Sequence, residues 1–254
     1  MSDAHVDAAL AARDQRRPYP PPSQSAPLSV GDAYAVQDRL RARLLARGER
    51  IVGWKAGFTS RAAQEMFGAS EPVGAFLLGS GVFGSGAEVP CTRFVSLAVE
   101  AEIAFVMHAD LAGPGVTPPR ALLAVEGARP ALELIDVRHS GKAIATDVVA
   151  DGVYASALVL GGAVTPIAGM DLALEGLVYE HNGAVAATSA AAEVLGSPLN
   201  SLAWIANHLA TRGLGLRAGD VVMTGSVSRL LHPRAGDTVR ATYTRLGSVS
   251  VRFV

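Results

Sequence analysis

Two glutamates stand two residues apart inside an apolar run, SLAVEAEIAFVMHAD (96–110). Val99, Ile103 and Phe105 are strand formers, and residues i and i+2 of a strand share a face. Glu100 and Glu102 therefore stand side by side in an otherwise apolar element. Like charges so close raise each other's pKa, and burying either one unpaired is costly. Such a stretch needs solvent on that face or a counter-charge. On spacing alone both readings stay open: the solvated face of an antiparallel sheet, or a divalent-cation site. The solvated face is the commoner meaning of that spacing, and the apolar flanks shift the reading only slightly towards the cation. Hard ions such as Mg²⁺ and Mn²⁺ prefer oxygen ligands and neutralise the mutual repulsion.

A third carboxylate would complete a facial set and leave positions for substrate and water. RPALELIDVRHS (129–140) offers Glu133 in a second apolar β-like run, with Asp136 three residues on. Three residues along a strand is the opposite face, so Glu133 and Asp136 are not expected to reach the same ion. The chain has no H-E-x-x-H, no paired cysteines and no Gly-rich phosphate loop followed by Lys-Ser/Thr.

The surrounding pattern predicts an α+β fold. Residues 1–13 start a helix, and RRPYPPPSQSAP (16–27) breaks it as an extended proline-rich connector. A second, amphipathic surface helix over 29–47 has Ser29 as its N-cap, Val36, Leu40 and Leu44 on one face, and Gly48 as its stop. It is expected outside the main core. Beyond residue 50 the texture is β-rich, with runs at 51–58, 75–83, 94–107, 130–137, 153–165, 172–180, 220–228, 238–244 and 248–254. A short helix is expected over 120–127 and a longer one over 197–213, capped by Ser197 and ended by Gly213. The division is a helical N-terminal segment over 1–50 and a β-rich catalytic domain over 51–254.

Composition narrows the partners. With 254 residues, half of them hydrophobic, and a formal net charge of −1, there is no electrostatic case for nucleic acid or an anionic membrane surface. No run approaches the roughly 18 apolar residues of a membrane span. The amino end lacks the long apolar stretch of a signal peptide, and the single cysteine, Cys91, fits a reducing cytoplasm, the expected location. There are twenty arginines and two lysines, Lys55 and Lys142, so each lysine stands out.

Six stretches carry a resemblance: VGWKAGFTS (52–60), VEAEIAFVM (99–107), RPALELIDVR (129–138), VLGSPLNSLAWIANHLATRG (194–213), LRAGDVVMTGS (216–226) and LGSVSVRF (246–253). Together they resemble the 2-keto-4-pentenoate hydratase family, within the fumarylacetoacetate hydrolase superfamily, which also includes 2-oxo-enedioate decarboxylases. The resemblance implies a β-rich fumarylacetoacetate-hydrolase-like domain, a homo-oligomer and a small 2-oxo acid substrate. It implies that Glu100, Glu102 and Glu133 hold Mg²⁺ or Mn²⁺ and that Lys55 lies in the active site. Ser226 matches a loop near the substrate, though an ordinary turn serine reads equally well.

One departure matters. Hydratases of this family usually carry an aspartate in a P-D-F/Y-G segment, whereas this chain reads SEPVGAF (70–76). Glu71, one residue before Pro72, is the candidate substitute in proton transfer. ADGVYAS (150–156) also departs from the family's A-D-N-A-S. Arg138 is a candidate for a substrate carboxylate or for pairing with Asp136. His139 either lines the pocket or sits in a surface loop, the second being preferred, and Trp204 reads as core. Three functions follow: a hydratase of a 2-hydroxy-dienoate or 2-oxo-enoate in aromatic catabolism, a decarboxylase of a 2-oxo-enedioate, or a non-catalytic metal or oxo-acid binding protein. Glu71 discriminates, because a Glu71 facing the pocket favours catalysis and one facing solvent favours binding.

Overall fold

The computed structural model describes residues 2–254; Met1, the first residue of the helix expected over 1–13, lies outside the described residues. In chain order, α1 (Ser2–Gln15) and α2 (Val30–Ala46) precede β1 (Ile51–Gly57), α3 (Arg61–Phe67), β2 (Val73–Leu78), β3 (Val82–Gly84), β4 (Ala87–Val89) and the long β5 (Leu97–Met107). Then come α4 (Pro118–Leu122), β6 (Val125–Asp136), α5 (Ala145–Ala150), β7 (Ala155–Leu160), β8 (Gly176–His181) and β9 (Ala184–Ala190). The chain closes with α6 (Pro198–Ala210), β10 (Val221–Ser226), β11 (Thr238–Tyr243) and β12 (Gly247–Phe253).

The strands form two mixed sheets, ordered β2-β1-β10-β5-β6-β7-β3 and β4-β12-β11-β8-β9. The first sheet rolls, bringing β2 towards β7. Residues facing each other across its ladders share one face: Leu77 opposite Gly53, Met223 opposite Ala104, and Ala131 opposite Leu160. These join Leu158 in a small apolar plug inside the roll. The other face carries Val99, Ile103, Phe105, Leu132 and Leu134 into the main core with Tyr179, Val239 and Phe253 of the second sheet. The buried Tyr179 hydroxyl donates to the Val99 carbonyl at 3.1 Å, a polar tie between the sheets.

Three local expectations change. The helix over 120–127 ends at Leu122, and the chain is already a strand at Val125. α2 belongs to the core: Ala33, Val36, Leu40 and Leu44 are buried along one stripe. Burial of an aliphatic side chain of this kind stabilises by roughly 1.5–3 kcal/mol. The same helix buries Gln37, whose Nε2 donates to the carbonyls of Gly74 (3.0 Å) and Val149 (2.9 Å). His139 is buried, its Nδ1 2.7 Å from the Tyr154 hydroxyl and its ring packed on Tyr19.

The proline-rich connector is stitched down. Tyr19 exchanges backbone hydrogen bonds with Arg138 and Ser140, and its hydroxyl donates to Asp151 Oδ1 at 2.9 Å. Ser23 donates through its amide and hydroxyl to Asp147. Asp151 is the hub: Arg138 reaches it through Nε (3.0 Å) and a terminal nitrogen (2.6 Å), and Arg13 joins from α1. Burial pushes the Asp151 carboxyl up, but Arg138 and Arg13 outweigh that and leave its pKa below the ordinary value.

A folded pKa that is depressed means stabilisation fully present above the unfolded value of about 4 and lost as pH falls through the folded one. Arg138→Ala is expected to lower unfolding free energy by about 3–5 kcal/mol, because it strands a buried carboxylate. Urea denaturation reads this directly, and a loss under about 1 kcal/mol would show the network to be dispensable. Asp151→Asn should flatten the acid limb of the stability curve below about pH 4.

Candidate metal centre and cavity

The β5–β6 ladder sets Glu100 directly opposite Glu133, and Glu102 follows on the same face of β5. One oxygen from each of the three carboxylates lies within 4.8 Å of the others. Glu102 and Glu133 are fully buried, while Glu100 is half-buried and faces a cavity of about 670 Å³.

Lys55 reaches the same group from β1. Its Nζ donates to Glu133 Oε2 at 2.6 Å and to the Val153 carbonyl at 3.3 Å. Two glycines make this arrangement possible. A Cβ on Gly53 would lie 1.8 Å from the Val221 carbonyl oxygen, so only glycine lets β1 lie this close to β10. Gly225, at φ 109°, sits where the register of β10 on β5 shifts, and a Cβ there would lie 2.1 Å from Thr59 Oγ1. Freed of that clash, the Gly225 amide donates to Glu102 Oε2 at 2.8 Å.

The electrostatics follow from burial. Desolvation, opposed by Lys55 and reinforced by Glu133, pushes Glu100 up to about 7. Desolvation, with Glu133 and Glu100 as neighbours, holds Glu102 well above the carboxylate range. Burial lowers the Lys55 ammonium, but Glu133, Glu100 and Glu102 outweigh it and raise its pKa. Against three carboxylates this one cation is too little. Glu102 Oε1 and Glu133 Oε1 are buried without a hydrogen-bond partner. Unsatisfied carboxylate oxygens that converge with a third are what a hard cation needs, so the residues present fit a divalent ion.

The cavity wall is mostly apolar, with Phe58, Ile135, Val137, Tyr154, Met66 and Leu230 among its lining. α3 forms one side without burying any residue of its own and is held by stacking of Phe67 on Phe58, centroids 4.6 Å apart. Val153 and Tyr154 both adopt left-handed backbone, at φ 52° and 56°. For a β-branched residue this is a strained conformation, and here it aims the Val153 carbonyl at Lys55.

Of the expected site residues, the structure brings together Glu100, Glu102, Glu133 and Lys55, with Ser226 also lining the cavity. Ser226 Oγ donates to the Ser228 carbonyl at 2.6 Å. Two others are elsewhere. Glu71 is exposed and outside the cavity, on the side of Tyr34. Arg138 is 1% exposed, committed to Asp151 and Asp136, and does not line the cavity. Asp136 is turned away from the carboxylates, as the spacing predicts, and accepts the amides of Val95 and Ser96. Sequence reasoning missed α3, the Val153 carbonyl, and the two basic residues Lys142 and Arg229 that line the cavity. The scarcity of lysine was the one available signal for Lys142.

Known proteins share both sequence and architecture with this chain. It is 38% identical over 228 residues to a 4-oxalocrotonate decarboxylase of Pseudomonas putida, covering 89% of this chain and 86% of that one. It is 36% identical over 234 residues to a 2-oxo-hept-4-ene-1,7-dioate hydratase of Escherichia coli, covering 89% and 88%. The 4-oxalocrotonate decarboxylase of Pseudomonas putida G7, complexed with magnesium and adipate, superposes with a TM-score of 0.95 at 35% identity, covering 99% of this chain and 96% of that one. The model of the fumarylacetoacetate (FAA) hydrolase C-terminal domain matches residues 51–254. The rolled sheet, the carboxylate cluster and these matches together make the chain a member of the fumarylacetoacetate hydrolase family.

Proposed function

We propose that this protein is a metal-dependent lyase acting on a small 2-hydroxy-dienoate or 2-oxo-enoate. The observation that carries the reading is the convergence of Glu100, Glu102 and Glu133 beside Lys55 on the floor of an apolar cavity. The three glutamates hold the cation, Mg²⁺ or Mn²⁺, through carboxylate oxygens. When bound, such an ion supplies Lewis-acid stabilisation of the negative charge that develops on the C2 oxygen of a 2-oxo acid. Lys55 Nζ holds a proton beside that charge and delivers it to substrate carbon. Phe58, Phe67 and α3 keep bulk water off the floor. Ser226, on the wall, faces the substrate.

Hydration is supported by the motifs and by the hydratase relative. It requires that water lose a proton as its oxygen bonds to the distal carbon of the conjugated C=C, while the neighbouring carbon gains one. Decarboxylation has a specific observation in its favour. With Glu71 facing solvent, Lys55 is the buried cationic proton carrier of the cavity. In that reaction the C–C bond to the leaving carboxylate breaks, CO₂ departs with neither electron of the bond, and one proton from Lys55 Nζ to carbon completes it. Glu71 in this orientation lends no support to catalysis, so the enzymatic reading rests on Lys55 and on the relatives. Loading the protein with Mg²⁺ and following absorbance loss and CO₂ release on a 2-hydroxydienoate and a 2-oxo-enedioate tests all three functions. Silence on both substrates leaves the binding protein.

Lys55→Ala is expected to lower turnover by roughly 10²–10⁴ while metal binding persists, and Lys55→Arg should not restore it because a guanidinium does not release its proton. Near-normal turnover in Lys55→Ala would make the lysine structural. Glu102→Ala should abolish stoichiometric Mg²⁺ binding in calorimetry, and unchanged binding would remove Glu102 from the ligand set. In the metal-free protein Glu100 titrates at about 7. A cation must displace that proton and the one that burial favours on Glu102, so apparent Mg²⁺ affinity should rise with pH through about 7, and a flat profile would contradict the assignment.

A further inference from the structure

The floor of the cavity is buried, whereas Lys142 and Arg229, which also line it, are both exposed and therefore mark its rim. Apolar side chains, among them Phe58, Val137 and Leu230, occupy the wall between. Among the described residues neither rim cation forms an ion pair; Arg229 spends one terminal nitrogen on the Ala186 carbonyl, and its remaining N–H groups stay available. The acidic side chain in the lining is Glu100, on the floor. The Arg61–Glu65 pair of α3 lies on the helix's exposed side and is closed on itself at 3.0 Å.

We propose that Lys142 and Arg229 bind the distal carboxylate of a dicarboxylate substrate and make the site select 2-oxo diacids over monoacids. This rests on the lyase reading above. Charge bookkeeping along the cavity carries it. With a divalent cation held by three ionised carboxylates beside protonated Lys55, the floor carries no net charge. A substrate's first carboxylate and its C2 oxygen go to that floor. A second carboxylate at the far end of the same molecule would sit against the apolar wall, where an unpaired charge is costly. Two unpaired cations at the rim remove that cost through charge-assisted hydrogen bonds. A monoacid gains nothing from them, and both remain hydrated in its complex.

The test compares Lys142→Met, Arg229→Gln and the double variant with the unmodified protein, all loaded with Mg²⁺. Calorimetry measures adipate, an unreactive diacid, against hexanoate, its monoacid counterpart. The unmodified protein should prefer adipate, and the adipate-to-hexanoate affinity ratio should fall about tenfold or more in the double variant, the scale of a lost charge-assisted contact. The kcat/KM ratio for a 2-oxo-enedioate over a 2-hydroxydienoate should fall in parallel, chiefly through KM. No preference for adipate in the unmodified protein, or a ratio unchanged in the double variant, overturns the proposal. If turnover is absent on every substrate, the lyase reading fails, and the calorimetric ratio still decides whether the rim reads a second carboxylate.

Discussion

Three carboxylates facing one ammonium on the inner face of a rolled sheet is an arrangement most folds would expel. At an effective dielectric of 20, two like charges 4 Å apart repel by about 4 kcal/mol, and burial adds to that. The surrounding structure softens the repulsion piece by piece. Lys55 takes Glu133, the Gly225 amide takes Glu102, and the half-buried Glu100 opens onto the cavity. What remains uncompensated is concentrated on two orphaned oxygens. The apolar plug beneath, from Leu77 to Met223, prevents water from satisfying them from below. A site of this kind is stable because two sheets share a large core elsewhere, and that core does not extend under the carboxylates.

Geometry here is a matter of register. Glu100 meets Glu133 because the two longest strands pair along nearly their full length, and a one-residue slip would turn every acidic side chain to the opposite face. The β10 irregularity next to Gly225 breaks regular pairing at the one place where a backbone amide is needed for a side chain. Lys55 in turn depends on Gly53, which lets its strand sit in parallel against β10.

What was legible in the sequence follows from range. The two-residue period of a strand made the Glu100–Glu102 pair visible, and the scarcity of lysine pointed to Lys55. The Ser29 and Ser197 caps marked two helices, and both hydroxyls accept first-turn amides in the fold. α3 left no trace because it buries nothing and so has no apolar stripe, and β9 is a strand of small residues at a sheet edge. The amphipathic stripe of α2 was plain, but a stripe does not say what covers it, and here the main core does. The burial of His139 and the commitment of Arg138 to Asp151 beyond the expected Asp136 were not legible, because Tyr154 and Asp151 lie across a turn and a helix in the sequence. Composition cannot announce that an arginine beside an active strand is already taken.

The turn after α5 has two masters. Asp151 is gripped by Arg13 and Tyr19 from the amino end and by Arg138, and two residues later the strained Val153 carbonyl meets Lys55 Nζ. Among the described residues none of the first twenty lines the cavity, yet they brace the backbone against which Lys55 rests. The amino-terminal strap thus acts as a splint, fixing through Asp151 the turn whose Val153 carbonyl holds Lys55 Nζ in place.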